Sequence, residues 1–377
     1  MPYLRDLLKD SSRLDIVNDV YHQDSLKSHV RGLRGDGVRL KKVQSSSKLP
    51  KDWNSFLRND SNKTSLLEFL SEEVINQMKD EEKNGKMICF TTGSQVRSVP
   101  QRSNTMLQPC NQEEADSRMF LHVADAANSG HNSFMIRTKD TDVVVLAAVH
   151  ASKNNLNIYI SFGTGDSHRY LDATDLANKL GPEKCRALLL FHCYSGCDTT
   201  SYFRAKGKKS FWNTWESFPE VTPILTNLTE VTSQPTENDF KVLERFVALV
   251  YDKNTEHSEI NEVRQQLFAT KLRAVEHIPP TQAALKFHLL RSLLQARTWF
   301  QMDQKYIDTL DPAIYGWNKK NNQWRPMWSD LPPIGKSRVF VKCACKDCNT
   351  TRGRGCGCKD EDIPCYIGCA CQGRCTE

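Results

Sequence analysis

Nine cysteines crowd the last thirty-five residues of this chain: Cys343, Cys345, Cys348, Cys356, Cys358, Cys365, Cys369, Cys371 and Cys375. Their spacing reads C-x-C-x2-C-x7-C-x-C-x6-C-x3-C-x-C-x3-C. A stretch so poor in apolar side chains has no core to fold around, and metal is the staple that such small modules use. The alternative, a disulfide knot, requires export. The N-terminus, MPYLRDLLKD, interrupts every apolar run with charge and is no secretory signal, so the thiols are expected in a reducing compartment. Tetrahedral zinc takes four thiolates, and nine do not divide by four. Three zincs need twelve ligand positions, which nine cysteines supply if three of them bridge two metals. The pattern therefore predicts a structural cluster of about three zinc ions.

The remainder of the 377 residues is long enough for a full hydrophobic core, and no apolar run is long enough to cross a bilayer. Apolar periodicity predicts strands over 14–20, 86–91, 133–137 and 157–162, with residues 92–112 as a polar linker. A capping box at Ser65 and Glu68 opens one predicted helix. Others run from Glu113 to Asn128, from Thr141 to His150, and from Asp172 through a stop at Gly181 to Tyr194. Strands alternating with helices predict a mainly parallel sheet covered on both faces. Beyond Lys206 the pattern is helical to residue 300, and 311–340 reads as an extended connector bearing Pro and Trp. The expected divisions are 1–215, an α/β domain; 216–310, a helical region; 311–340, the connector; and 341–377, the zinc tail.

Carboxylates stand where these elements end. The first strand carries Asp19 near its end, with Asp15 as a competing candidate. Glu113, Glu114 and Asp116 open a helix, Asp140 and Asp142 follow a strand, and Asp198 sits in SGCDTT beyond a helix. In a parallel α/β sheet such ends share an edge, where ligands bind. Gathered carboxylates repel unless cations lie between them, and oxygen-only ligation suits Mg²⁺ or Mn²⁺. A pair of such ions hydrolyses phosphodiesters. Each aspartate has a plainer reading as a turn or helix cap.

The net charge of +6 is mild, but its distribution is uneven. Six basic residues lie between Lys27 and Lys42, and Arg204, Lys206, Lys208 and Lys209 follow SGCDTT. Such clusters are either solvated surface or phosphate contacts.

The order of the acidic motifs resembles the flap-endonuclease branch of the PIN-like nucleases. Glu114-Ala115-Asp116, Asp140-Thr141-Asp142 and Gly196-Cys197-Asp198 stand where that family has its E-A-E/D, D-x-D and G-x-D metal motifs. The second strand runs into Thr91-Thr92-Gly93 without the acid the family carries there. The repeated C-x-C steps resemble tesmin/TSO1-type CXC domains. Arg352 and Arg354 occupy the run where those domains place a minor-groove tyrosine, and arginine also enters narrow minor grooves. The whole chain resembles transposon-associated animal proteins that couple the two modules, through phrases such as EEADSRMFLH, KDTDVVVLA and IPPTQAAL.

The resemblance implies a PIN-like α/β fold, a parallel sheet flanked by helices, followed by an α-helical region and a zinc-cluster tail. It implies a nuclear, metal-dependent nuclease that leaves a 5′-phosphate. Asp19, Glu114, Asp116, Asp140, Asp142 and Asp198 would hold Mg²⁺ or Mn²⁺, and Arg204, Lys206, Lys208 and Lys209 would grip DNA. The alternative is a non-catalytic nucleic-acid or chromatin adaptor.

Overall fold

The computed structural model describes residues 1–22, 24–27, 37–38, 42–230, 234–269, 273–329, 343–345, 358, 365 and 369–372. The chain divides into two compact units. The first comprises Met1–Cys185, Arg297–Asp311 and Asn318–Arg325; the second comprises Arg186–Ala296, Pro312–Trp317 and Pro326–Glu377. The first break falls inside a helix at residue 185.

The first unit is mixed α/β. Strand β1 (Arg13–Ile16) runs parallel to β2 (Met87–Thr92), which pairs antiparallel with β3 (Gln95–Val99). In a second sheet, β4 (Ser133–Thr138) runs parallel to β5 (Asn157–Phe162), and β5 pairs antiparallel with β6 (Arg169–Asp172). In place of one mainly parallel sheet there are thus two three-stranded sheets, each with one parallel and one antiparallel pair. Both antiparallel partners are short strands of mixed polarity, too weakly alternating to stand out. β3 lies inside the supposed linker of residues 92–112, and Gly93 makes its hairpin turn at φ 53°.

Period-2 alternation sorts the side chains of the first sheet. Ile88 and Phe90 of β2 pack with Leu8, Val74 and Met78, which come from α1 (Pro2–Lys9), from α3 (Asp60–Gln77) and from the end of α3. Cys89 points the other way, to Leu107, Cys110 and Leu121. This sheet is covered on both faces. The second is not: Phe134, Ile136, Ile158 and Ile160 are buried, while Met135, Tyr159 and Tyr170 are exposed.

Helix α2 (Trp53–Arg58) precedes α3, whose first turn is capped by the Asn59 side chain on the Asn62 N–H, six residues upstream of the expected box at Ser65. Ser65 instead accepts from the Val43 N–H at 2.8 Å. α4 (Ala115–Asn128) and α5 (Thr141–Asn154) follow the predicted pattern, and Asn155 ends α5 in the left-handed region. α6 (Ala173–Tyr194) breaks at Gly181, φ 77° and ψ 162°, with Pro182 starting its second part.

The second unit is helical. α7 (Lys208–Ser217), α8 (Val221–Thr229), α9 (Glu237–Tyr251) and α10 (Ile260–Ala269) precede α11 (Gln282–Phe300). Aromatic side chains fill its centre. Trp215 is fully buried, stacks on Phe191 at 4.5 Å, and donates from Nε1 to Thr222 at 2.8 Å, so its one polar atom is satisfied. A capping box between Thr236 and Asp239 opens α9. Within the supposed connector, β7 (Trp317–Lys320) and β8 (Gln323–Pro326) form a hairpin. Its two-residue turn is Asn321-Asn322, both at positive φ, the conformation a tight hairpin needs and asparagine tolerates.

Candidate metal sites

The cysteine site is the more compact. The sulfurs of Cys343, Cys358, Cys365 and Cys369 all lie within 4.8 Å of one another, and all four residues are buried. Cys343 and Cys365 are 3.5 Å apart, as are Cys358 and Cys369. A disulfide needs about 2.05 Å, so these are thiols. Tetrahedral zinc with bonds of about 2.3 Å places its sulfurs roughly 3.8 Å apart, and the two 3.5 Å pairs lie close to that spacing. Cys371 is buried in the same cluster and Cys345 packs against it. The backbone laces the ends together: Ala370 N–H donates to Cys343 O at 3.0 Å, and Gln372 N–H to Cys369 O at 2.9 Å. The tail can therefore hold zinc through these four residues. Cys348, Cys356, Cys375, Arg352 and Arg354 lie outside the described residues.

The acidic group belongs to the first unit, where helix starts position it. Val20 N–H donates to Glu113 O at 2.8 Å, bringing the segment after β1 against the start of α4. Asp19 then accepts the Ala115 N–H at 2.8 Å, capping α4 from outside it. Glu114, at the N-cap, takes Lys27 Nζ at 3.0 Å and Trp299 Nε1 at 3.3 Å on the same oxygen. Asp140 accepts the Asp142 N–H at 2.8 Å as the cap of α5, the plainer role foreseen for it.

Electrostatics tie these carboxylates to one another. Burial, then the charge of Asp140, pushes the Asp116 carboxyl up to about 7; Lys27 opposes this, and Glu114 and Asp19 add to it. Lys27 shows the converse. Burial disfavours its charge, but Glu114, Asp116 and Asp19 outweigh that and raise the amine. Asp19, Glu114, Asp116 and Asp140 thus share one electrostatic neighbourhood, with Lys27 as its internal cation. Asp142 is half-buried in the first turn of α5. Asp198 is exposed in the second unit, past the end of α6.

Asp15 is committed elsewhere. Arg13 grips it with two bonds of 2.7 and 2.9 Å, and His122 Nδ1 lies at 2.7 Å. Burial opposes its charge, yet His122 and Arg13 together hold it well below the usual carboxylate range. Arg13 also reaches Asp125 at 2.8 Å, and Arg102 meets the same Asp125 oxygen at 2.5 Å. The sequence signals were an Arg-x-Asp step on one face of a strand and a His-x-x-Asp step on one face of a helix. Neither step says that the two faces meet. Lys27 was visible only as one of a basic run, and nothing in the sequence pointed to Trp299.

The basic run after SGCDTT divides by role. Lys208 Nζ donates to His192 O at 2.9 Å, Ser195 Oγ at 3.2 Å and Gly196 O at 2.6 Å, closing the C-terminal end of α6, where a cation is favoured. Lys206 lies over the Tyr251 ring at 5.4 Å. Arg204 and Lys209 are exposed.

Compared with known proteins, the chain matches no family model, no curated protein and no solved structure. Among the described residues, no helix is long and apolar enough to cross a membrane.

Proposed function

We propose that this protein is a metal-dependent, PIN-like nuclease of the nucleus, hydrolysing nucleic-acid phosphodiesters, with a zinc-cluster tail that recruits or orients it. The observation that carries this reading is the gathering of half-buried Asp116 with Asp19, Glu114 and Asp140 where α4 and α5 begin. Carboxylates at helix starts gain from capping and the helix dipole, but crowding four of them together costs mutual repulsion. A divalent cation relieves that repulsion, and the donor set is oxygen alone, as Mg²⁺ and Mn²⁺ prefer. Asp19, Glu114, Asp116 and Asp140 would hold it, with Asp142 in the same unit beside them. A bound ion supplies Lewis-acid polarisation of the phosphodiester and lowers the pKa of an attacking water.

The chain's own residues do the rest. The helix starts fix the carboxylates, Lys27 balances their charge, and exposed Arg204 and Lys209 contact the phosphate backbone. In the tail, all nine cysteines hold about three zinc ions through bridging thiolates, with Arg352 and Arg354 toward DNA.

A second reading rests on a different observation: Lys27 already places an ammonium against Glu114, and Asp140 already caps α5. On that reading the group is charge-balanced as it stands, and the protein is a catalytically inactive nucleic-acid or chromatin adaptor. Incubating the purified chain with labelled branched and single-stranded DNA, in Mn²⁺ or in EDTA, separates the two. Metal-dependent cleavage abolished by Asp116→Asn supports the nuclease. Binding to DNA with no cleavage of any substrate supports the adaptor.

A further inference from the structure

The second sheet of the first unit has one buried face and one open face. Period-2 alternation sends Phe134, Ile136, Ile158 and Ile160 inward, where they are buried. The register fixes what stands on the other side. Met135 of β4 pairs with Tyr159 of β5, and Tyr159 with Asp172 of β6; one row on, Arg137 pairs with Ser161, and Ser161 with Tyr170. Met135, Tyr159 and Tyr170 are 58%, 38% and 70% exposed. The solvent face of a sheet is ordinarily polar, so a methionine and two tyrosines left open on one face point to something that covers them.

Tyr159 and Tyr170 are diagonal neighbours across the β5–β6 pair, a relation that sets side chains about 7–8 Å apart. His168 braces the second ring: the two rings meet at right angles 4.9 Å apart, and His168 Nε2 lies 2.8 Å from Ser161 Oγ. The polar neighbours of the tyrosines are engaged within the protein. Ser161 is taken by His168, Asp172 accepts the Asp175 N–H at 2.9 Å, and Asn157 donates to Asn132 O at 3.2 Å. What the face offers outward is two flat rings, the Met135 thioether and the Arg137 guanidinium.

Charge narrows the ligand. Arg137, Lys139 just past β4 and Arg169 at the head of β6 are all exposed. Against them stands Asp166 in the turn before β6, while Asp140 is turned to the Asp142 N–H. Arg137 lies 5.5 Å from the Tyr3 ring of α1, a cation–π contact that holds it without neutralising it. Exposed rings beside cations are how single strands are held, because every base has a face to stack. A duplex spends those faces on its own stack and cannot use the rings. Met135 beside Tyr159 also gives a thymine methyl an apolar contact that uracil lacks.

We propose that the open face of this sheet binds single-stranded DNA, stacking successive bases on Tyr159 and Tyr170 with a phosphate on Arg137. The end of β4 that carries Arg137 leads into Asp140, so a strand held there reaches toward the acidic group. The inference rests on the reading that the protein works on nucleic acid, and it serves the nuclease and the adaptor alike.

Fluorescence anisotropy of the full, zinc-loaded chain with labelled oligothymidylate, oligouridylate and a DNA duplex tests it, without added Mg²⁺ or Mn²⁺ so that nothing is cut. Oligothymidylate is expected to bind about tenfold more tightly than the duplex. Tyr159→Ala and Tyr170→Ala, both on the open face and so compatible with folding, should each weaken oligothymidylate by about fivefold or more and leave the duplex unchanged. Tyr170→Phe keeps the ring and should bind as the parent does. Arg137→Met should lower the salt dependence by roughly one unit of slope. Parent-like binding by both alanine variants, a Phe variant as weak as the Ala variant, or an equal loss for the duplex overturns the platform and leaves the nucleic-acid reading standing. Oligouridylate bound more tightly than oligothymidylate overturns DNA as the occupant. Self-association of the parent that both alanine variants abolish gives the face to a second copy of the chain and overturns the proposal. No binding of any of the three by the parent strikes the nucleic-acid reading itself, and the platform with it.

Discussion

The cysteine tail and the acidic group both gather anionic ligands, but what fixes those ligands differs. In the tail the buried cluster is itself made of cysteines, with Cys343, Cys358, Cys365, Cys369 and Cys371 as its buried members. Sulfur ligation and tertiary packing are one and the same contact there. In the acidic group the ligands stand on helix starts held by a conventional core and by bonds that need no metal, such as Asp19 to Ala115 and Asp140 to Asp142. On the proposed reading, metal would be a folding energy for the first and an added charge for the second. The two sites should therefore fail differently.

The largest difference is expected on chelation. Structural zinc contributes on the order of 10 kcal/mol or more to such modules. A strong chelator, or Cys358→Ser with Cys369→Ser, should release zinc and unfold the tail, leaving the helical and sheet signals of the rest intact by circular dichroism. Metal analysis of the parent should give about three zincs per chain. A value near two would replace the trinuclear cluster with separate sites, and chelation that unfolded the whole chain would erase the contrast.

Next in size is the buried charge network beneath the acidic group. Asp15→Asn leaves His122 without its carboxylate and Arg13 with Asp125 alone, in a nearly solvent-free setting. Removing one partner of such a pair costs about 3 kcal/mol or more. The loss should appear in urea unfolding and should not change with added Mn²⁺. A Mn²⁺-sensitive loss would make Asp15 a metal ligand after all.

Lys27→Met sharpens the role of the internal cation. Without its ammonium, Glu114, Asp116 and Asp19 repel one another, and the metal-free protein should lose roughly 1–2 kcal/mol, less than a fully buried pair would. The thermal shift given by Mn²⁺ should then exceed that of the parent, because the ion takes over the charge balance. An unchanged shift would mean that Lys27 and the metal do not share the site.

How legible this was in the sequence depended on the kind of signal. α4, α5, β4 and β5 announce themselves through unbroken periodicity, and Gly181-Pro182 marks its break because no other pair suits that backbone so well. β3, β6 and the β7–β8 hairpin were missed because each is a short strand stabilised by its partner rather than by its own pattern. That the tail could hold zinc was legible from spacing alone. The acidic residues were found as a list, yet the decisive features were contacts between distant segments: Lys27 with Glu114, Trp299 with Glu114, and Arg13 with Asp125. Lys208 read as a DNA contact because its neighbours are basic, and only the folded chain shows its ammonium turned to the end of α6.

The smallest expected effect is a pH dependence. Asp116 has a folded pKa above its unfolded value, so the folded state keeps its proton more tightly. That contribution is fully present below about 4 and is lost as pH rises through about 7. Asp116→Asn removes the penalty, so it should stabilise the metal-free protein at pH 8 by roughly 1 kcal/mol more than at pH 4, after allowance for solvent screening. Equal effects at the two values would show that Asp116 is not crowded.

The most direct test of the central claim is the Mn²⁺-dependent melting shift of the zinc-loaded parent, set beside Asp116→Asn and Asp140→Asn. At position 140 Asn still caps a helix nearly as well as Asp, and Asp116 lies inside α4 and is not its cap, so a loss of metal response reports ligation rather than unfolding. If the acidic group is a divalent-cation site, Mn²⁺ raises the parent's melting temperature in proportion to its occupancy, and each variant responds much less. A parent with no shift, or variants that shift as the parent does, would contradict the account and leave the acidic group as helix caps balanced by Lys27.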